Sequence, residues 1–118
     1  MKYLLFVTAE PVAFERMSTE EGKEFTRRCL AFDQHLADRG IFIDANALQP
    51  AREAVTVRKR DGKLSVTDGP FAETKEHLCG FIMVEAVDLN AAIKIAEESP
   101  FSTLGSVEVR PVMEISAN

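Results

Sequence analysis

Two side chains in this sequence could move a proton near neutral pH and reach one opening in the fold, His35 and Asp68. His35 falls on a helix predicted to begin after Ser18. It lies about a quarter turn from the apolar stripe Phe25, Cys29, Phe32 and Leu36, at about 100° per residue. Arg28 and Arg39 share its flank. An imidazole acts as general acid or base at pH 7 with little adjustment. The other reading is a boundary histidine with its stem packed and its ring half wet. Asp68 opens the run Asp68-Gly69-Pro70-Phe71, which is dense in turn chemistry. Aspartate bonds its own backbone two residues on, Gly69 tolerates positive φ, and Pro70 presets one dihedral. Asp68 then either fixes the turn, which predicts partial burial, or offers a carboxylate to a catalytic group or a ligand amine. The acid–base reading expects both residues to border one cavity without touching.

The neighbours of Asp68 extend this candidate site. Gly69, Pro70, Phe71, Glu73 and Lys75 are positioned to line the same opening as ligand-binding residues, with a merely solvated loop as the alternative. Phe71 is the first large apolar group able to pin the turn to a core. Glu108 and Arg110 share one strand face, so Arg110 is either half of an ion pair or a carboxylate-recognising group. His77, in a polar stretch, is given no role, and Cys79 is not read as a nucleophile. Cys29 and Cys79 form no Cys-x-x-Cys motif, so no metal site is expected. A Gly-rich phosphate loop and a nucleophile elbow are also lacking, which leaves acid–base chemistry without a cofactor.

The elements that must position these groups are legible from periodicity. Residues 1–118 read as one domain, of ordinary hydrophobic (46%) and charged (28%) content for a soluble protein. Fourteen basic against nineteen acidic residues leave a net charge of -5, which argues against nucleic acid as a partner. The cluster Arg58-Lys59-Arg60 reads as a solvated hairpin tip. The apolar run Tyr3 to Val7 is too short for an export or membrane segment, so a cytoplasmic protein with reduced thiols is expected.

In chain order, Lys2 to Ala9 reads as a strand and Glu10 to Met17 as a loop. Ser18 and Glu21 then form a capping box for a helix ended by Gly40. Ile41 to Leu48 is a second strand, with Ile41, Ile43 and Ala45 on one face. Asp61-Gly62 makes a hairpin of the flanking segments that pairs Val57 with Val66. Gly80 to Ala86 is a strand, and Asp88 caps a helix with Leu89, Ala92, Ile93 and Ala96 inward. Ser106 to Ile115 is a last strand, at an edge because of Pro111. The order β-α-β, hairpin, β-α-β predicts an α+β, ferredoxin-like split βαβ sheet with an extra hairpin. Two of its strands, Tyr3 to Val7 and Phe81 to Val84, are apolar on both faces, which predicts a homodimer packed sheet to sheet.

The ten residues Thr67-Asp68-Gly69-Pro70-Phe71-Ala72-Glu73-Thr74-Lys75-Glu76 resemble the signature of the DGPF branch of the YCII-related family. The likeness continues at Val107-Glu108-Val109-Arg110-Pro111. It implies a dimeric α+β barrel in which two sheets face each other, and a helix histidine, here His35, paired with an acidic residue. Related barrels run cofactor-free reactions on small organic metabolites, which implies a lyase, isomerase or hydrolase. DGPF-type proteins are often encoded beside, or fused to, extracytoplasmic-function sigma factors. The alternative is therefore a non-catalytic regulatory module with a sigma factor as partner.

Overall fold

Ser18 starts the longest helix because it satisfies two of its orphan donors at once. Glu21 N–H donates to Ser18 Oγ at 3.1 Å, and Ser18 N–H donates back to Glu21 Oε1 at 3.0 Å. Ser18→Ala is expected to lower stability by about 1 kcal/mol. This would show as a lower urea midpoint with an unchanged slope. An unchanged midpoint would mean that water replaces the cap without loss.

The computed structural model describes residues 1–72 and 74–117. Its strands are β1 (Lys2–Ala9), β2 (Phe42–Ala47), β3 (Val55–Arg60), β4 (Lys63–Asp68), β5 (His77–Glu85) and β6 (Ser106–Pro111). Its helices are α1 (Pro11–Glu15), α2 (Thr19–Asp38), α3 (Leu89–Glu97) and α4 (Phe101–Leu104), with a 3₁₀ turn at Ala51–Glu53. Strands β2-β5-β1-β6 form one antiparallel sheet in that order, and β3-β4 form a separate hairpin. This is the α+β, ferredoxin-like arrangement with its extra hairpin. No helix among the described residues is long and apolar enough to cross a membrane.

One sheet face packs under α2 and α3. Tyr3, Leu5 and Val7 of β1 and Ile82 and Val84 of β5 meet Phe32 and Leu36 of α2 and Ala92, Ile95 and Ala96 of α3. On the other face Leu4, Phe6, Phe81 and Met83 stay half-buried.

Several expectations shift. In α3 the buried stripe is Ala92, Ile95 and Ala96, while Leu89 and Ile93 face solvent. Ile41 and Ala45 pack against the core as expected, but strand β2 has an irregularity at Ile43, so Phe42 joins them there and Ile43 is exposed. The last strand stops at Pro111, leaving Met113 and Ile115 exposed. Its partner β1 begins at Lys2, so beyond the bond from Val112 N–H to Lys2 O there is nothing left to pair with. The stretch Glu10 to Met17, read as a loop, contains α1, and α4 lies between α3 and β6. Phe14 and Phe101 draw them against Phe25, with ring centroids 5.1–6.3 Å apart.

Candidate functional site

Small side chains open a space between α2 and the β2–β5 half of the sheet. Ala45, Ala47 and Gly80 form its floor, where larger residues would have filled the gap. The aromatic group Phe14, Phe25 and Phe101 closes one end. The resulting cleft holds about 700 Å³ and is mostly apolar, the usual character of a small-molecule site.

Few polar groups reach it. Cys29 and Asp33 stand one helical turn apart on α2, and both are half-buried. Burial holds the Asp33 carboxyl above the ordinary carboxylate range. Burial also pushes the Cys29 thiol up to about 11; the charge of Asp33 adds to this and Arg28 opposes it. Cys79 is raised by burial as well, against a backbone hydrogen bond at Ala9 and with help from Glu76. Its Sγ donates to His77 O at 3.3 Å. Burial therefore favours the protonated form of both thiols at neutral pH. His77, the first residue of β5, lines the cleft too. Among the described residues, Asp33 has no hydrogen-bond or ion-pair partner, and no three His, Cys, Asp or Glu side chains converge to hold a metal.

Neither His35 nor Asp68 lines this cleft. His35 is exposed on the far side of α2, where its Nε2 lies 3.9 Å from Glu98 Oε2 and Arg39 approaches the same oxygen at 3.5 Å. Asp68 ends β4 and is exposed, contrary to the burial expected of a turn-fixing acid. The turn is satisfied without it. Gly69 N–H donates to Ala54 O, and Thr56 Oγ1 donates to Gly69 O, each at 2.7 Å. Gly69 does take the positive φ the turn requires, at 100°.

Pro70 is exposed, and Phe71, 75% exposed, pins nothing to the core. It lies instead under the Arg58 guanidinium, 4.8 Å from its ring centroid. Glu73 lies outside the described residues. Lys75 Nζ sits 3.4 Å from Glu10 Oε1, beside Pro11 on the cleft rim. Arg110 is on the outer sheet face, ion-paired with Glu108 and 5.4 Å over the Phe6 ring, so it takes the ion-pair role.

Sequence reasoning missed Asp33 and His77. Asp33 follows the core residue Phe32 and stands four after Cys29, a carboxylate on the margin of an apolar stripe, and that was the available signal. His77 escaped because β5 begins three residues earlier than its apolar run suggests.

A family model described as the YCII-related domain matches residues 1–116. An uncharacterized protein of Rhizobium meliloti (strain 1021) is 35% identical over 97 residues, 80% of this chain and 78% of that protein. Among solved structures, 5-chloro-2-hydroxyhydroquinone dehydrochlorinase (TftG) from Burkholderia phenoliruptrix AC1100, in complex with 2,5-dihydroxybenzoquinone, has a similar fold. The TM-score is 0.58 at 14% identity, covering 96% of this chain and 94% of that one.

Proposed function

The chain belongs to the YCII-related family, and on that premise we propose that it is an acid–base enzyme acting on a small organic molecule held in the α2–sheet cleft. The observation that carries this reading is Asp33, an unpartnered carboxyl on the wall of an apolar cleft. A carboxylate whose basicity is raised by burial is a better proton acceptor near neutral pH than one in water. Asp33 takes a proton from a C–H or O–H group of the ligand. The freed electron pair then forms a double bond as a neighbouring group leaves or the bond order shifts, an elimination or isomerisation. His77, on the same lining, is placed to exchange the second proton. Aromatic walls of Phe14, Phe25 and Phe101 favour a flat, ring-shaped ligand. The quinone bound by the dehydrochlorinase of similar fold supports the same choice. The enzyme works as a homodimer joined through the outer sheet face, where Leu4, Phe6, Phe81 and Met83 are left partly open.

A thermal-shift series of substituted hydroquinones, benzoquinones and hydroxybenzoates tests the cleft. A ligand at about 100 times its dissociation constant stabilises by about 2.7 kcal/mol, a melting shift of several degrees. The cavity-filling variant Ala47→Phe is expected to melt as a folded protein yet show no ligand shift. Equal shifts in both proteins, or none in the wild type, would remove the cleft as the binding site.

A further inference from the structure

The cleft between α2 and the sheet carries one arginine that neither the fold nor the proton transfer uses. Arg52 lines it from the 3₁₀ turn Ala51–Glu53, just beyond β2. The turn is held on both sides. Leu48 N–H donates to Cys79 O at 2.8 Å, which ties the entry to β5, and Pro50 holds its own φ at -55°. Glu53 N–H donates to Pro50 O at 2.9 Å, and Ala54 N–H to Ala51 O at 3.0 Å. The Arg52 stem therefore starts from set backbone at the cleft wall, while the residue itself remains exposed.

An arginine on a surface turn ordinarily finds an acid or points into water. Arg27, Arg39 and Arg110 each find one, in Glu24, Glu98 and Glu108. Lys75, at the cleft rim, is taken by Glu10. Two carboxylates share the lining with Arg52, namely Glu15 and Asp33, and among the described residues it pairs with neither, nor with any other acid. Among those residues it is also the only Lys or Arg on the lining. In a chain of net charge -5, and in a cleft whose base is itself a carboxylate, an anionic ligand meets repulsion unless a cation offsets it. A planar guanidinium matches a carboxylate through two parallel hydrogen bonds, which a neutral ring substituent does not offer.

We propose that Arg52 selects ring ligands that bear a carboxylate, holding that group at the wall while the ring occupies the apolar cleft; this substrate class rests on the cleft being the ligand site. Isothermal titration at pH 7 with hydroquinone and 2,5-dihydroxybenzoate, which differ by one carboxylate, reads the result. The wild type is expected to bind the dihydroxybenzoate about tenfold or more tightly than hydroquinone. Arg52→Gln should bring the two to equal affinity by weakening the dihydroxybenzoate alone. Arg52→Lys, which keeps the charge without the fork, should recover only part of the preference. Rising salt should weaken dihydroxybenzoate binding and leave hydroquinone binding unchanged. A melting transition checks that Arg52→Gln stays folded, as expected of an exposed side chain outside the core. Suppose Ala47→Phe abolishes binding of both rings, but Arg52→Gln keeps the preference or the wild type shows none. The cleft then stands as the ligand site, and the role of Arg52 is overturned. If neither ring binds the wild type, or both bind Ala47→Phe undiminished, the cleft reading itself fails and the carboxylate preference falls with it.

Discussion

Asp33→Asn is expected to lower turnover by about 10²–10⁴-fold while the cleft still holds its ligand. Asparagine keeps the size and half-buried position of the side chain and removes only its basicity. The loss should therefore fall on kcat, with KM nearly unchanged. Stability should move the other way. Because burial raises the folded-state value of Asp33, the fold favours its protonated form. The stabilising contribution is present at low pH and is lost as pH rises through that raised value. The variant lacks this decline, so at pH 7 it should melt at the same temperature as the wild type or higher. In the wild type, kcat should rise with pH across the same interval, as Asp33 ionises and becomes a base. The contrast is His35→Gln, which lies outside the cleft and should keep full turnover. If His35→Gln loses turnover and Asp33→Asn keeps it, the catalytic group is the helix-surface histidine and the cleft reading fails.

The difference between these two residues shows why the site was hard to read from the sequence. Both lie near the apolar stripe of α2, His35 one residue before Leu36 and Asp33 one residue after Phe32. Helical periodicity places each on a margin of the stripe. It does not say which margin meets a gap in the sheet and which meets another helix. That depends on β2 and β5, where Ala45, Ala47 and Gly80 leave space under Asp33. On the other margin Glu98, at the end of α3, approaches His35. Cavities arise from side chains far apart in sequence, and no local pattern records them. Asp68 was misjudged for a related reason. Its turn chemistry was sound, as the positive φ of Gly69 shows, but Thr56 and Ala54 supply the hydrogen bonds that the aspartate was expected to make.

Fold was far more legible, because it rests on local signals that agree with one another. The Ser18–Glu21 box, the Asp61-Gly62 turn and the stripe at Phe32 and Leu36 each specify structure within a few residues. The Val57–Val66 register follows directly from the two-residue turn. What slipped was always tertiary. Strand β6 ends where its partner β1 begins, a fact held by Lys2 and invisible in the run Val107 to Ile115. Likewise α4 forms where Phe101 finds Phe25, across some seventy-five residues of chain, and α1 where Phe14 meets both rings.

Gly105→Ala is expected to be the most damaging single-methyl change in the protein, costing about 4 kcal/mol or more. Gly105 links α4 to β6, and its N–H donates to Phe101 O at 2.9 Å. A Cβ there would lie 2.0 Å from Thr8 O and 2.8 Å from the Ala9 Cα. Both are main-chain atoms at the end of β1, so no side-chain rotation relieves the overlap. Relief requires β6 to move off β1, which breaks the ladder from its Ser106–Thr8 end. Ordinary overpacking costs about 1–3 kcal/mol because neighbouring side chains yield, and here none can. A domain of this size is stable by about 5–15 kcal/mol, so the variant should be mostly unfolded on warming or insoluble when expressed. Gly22→Ala is the control. A Cβ at Gly22, inside α2, meets nothing within 4 Å, and alanine there should stabilise by about 1 kcal/mol. Urea titrations followed by circular dichroism separate the two. A Gly105→Ala protein whose midpoint matches the wild type would mean that β6 is not held to β1 as closely as this contact requires.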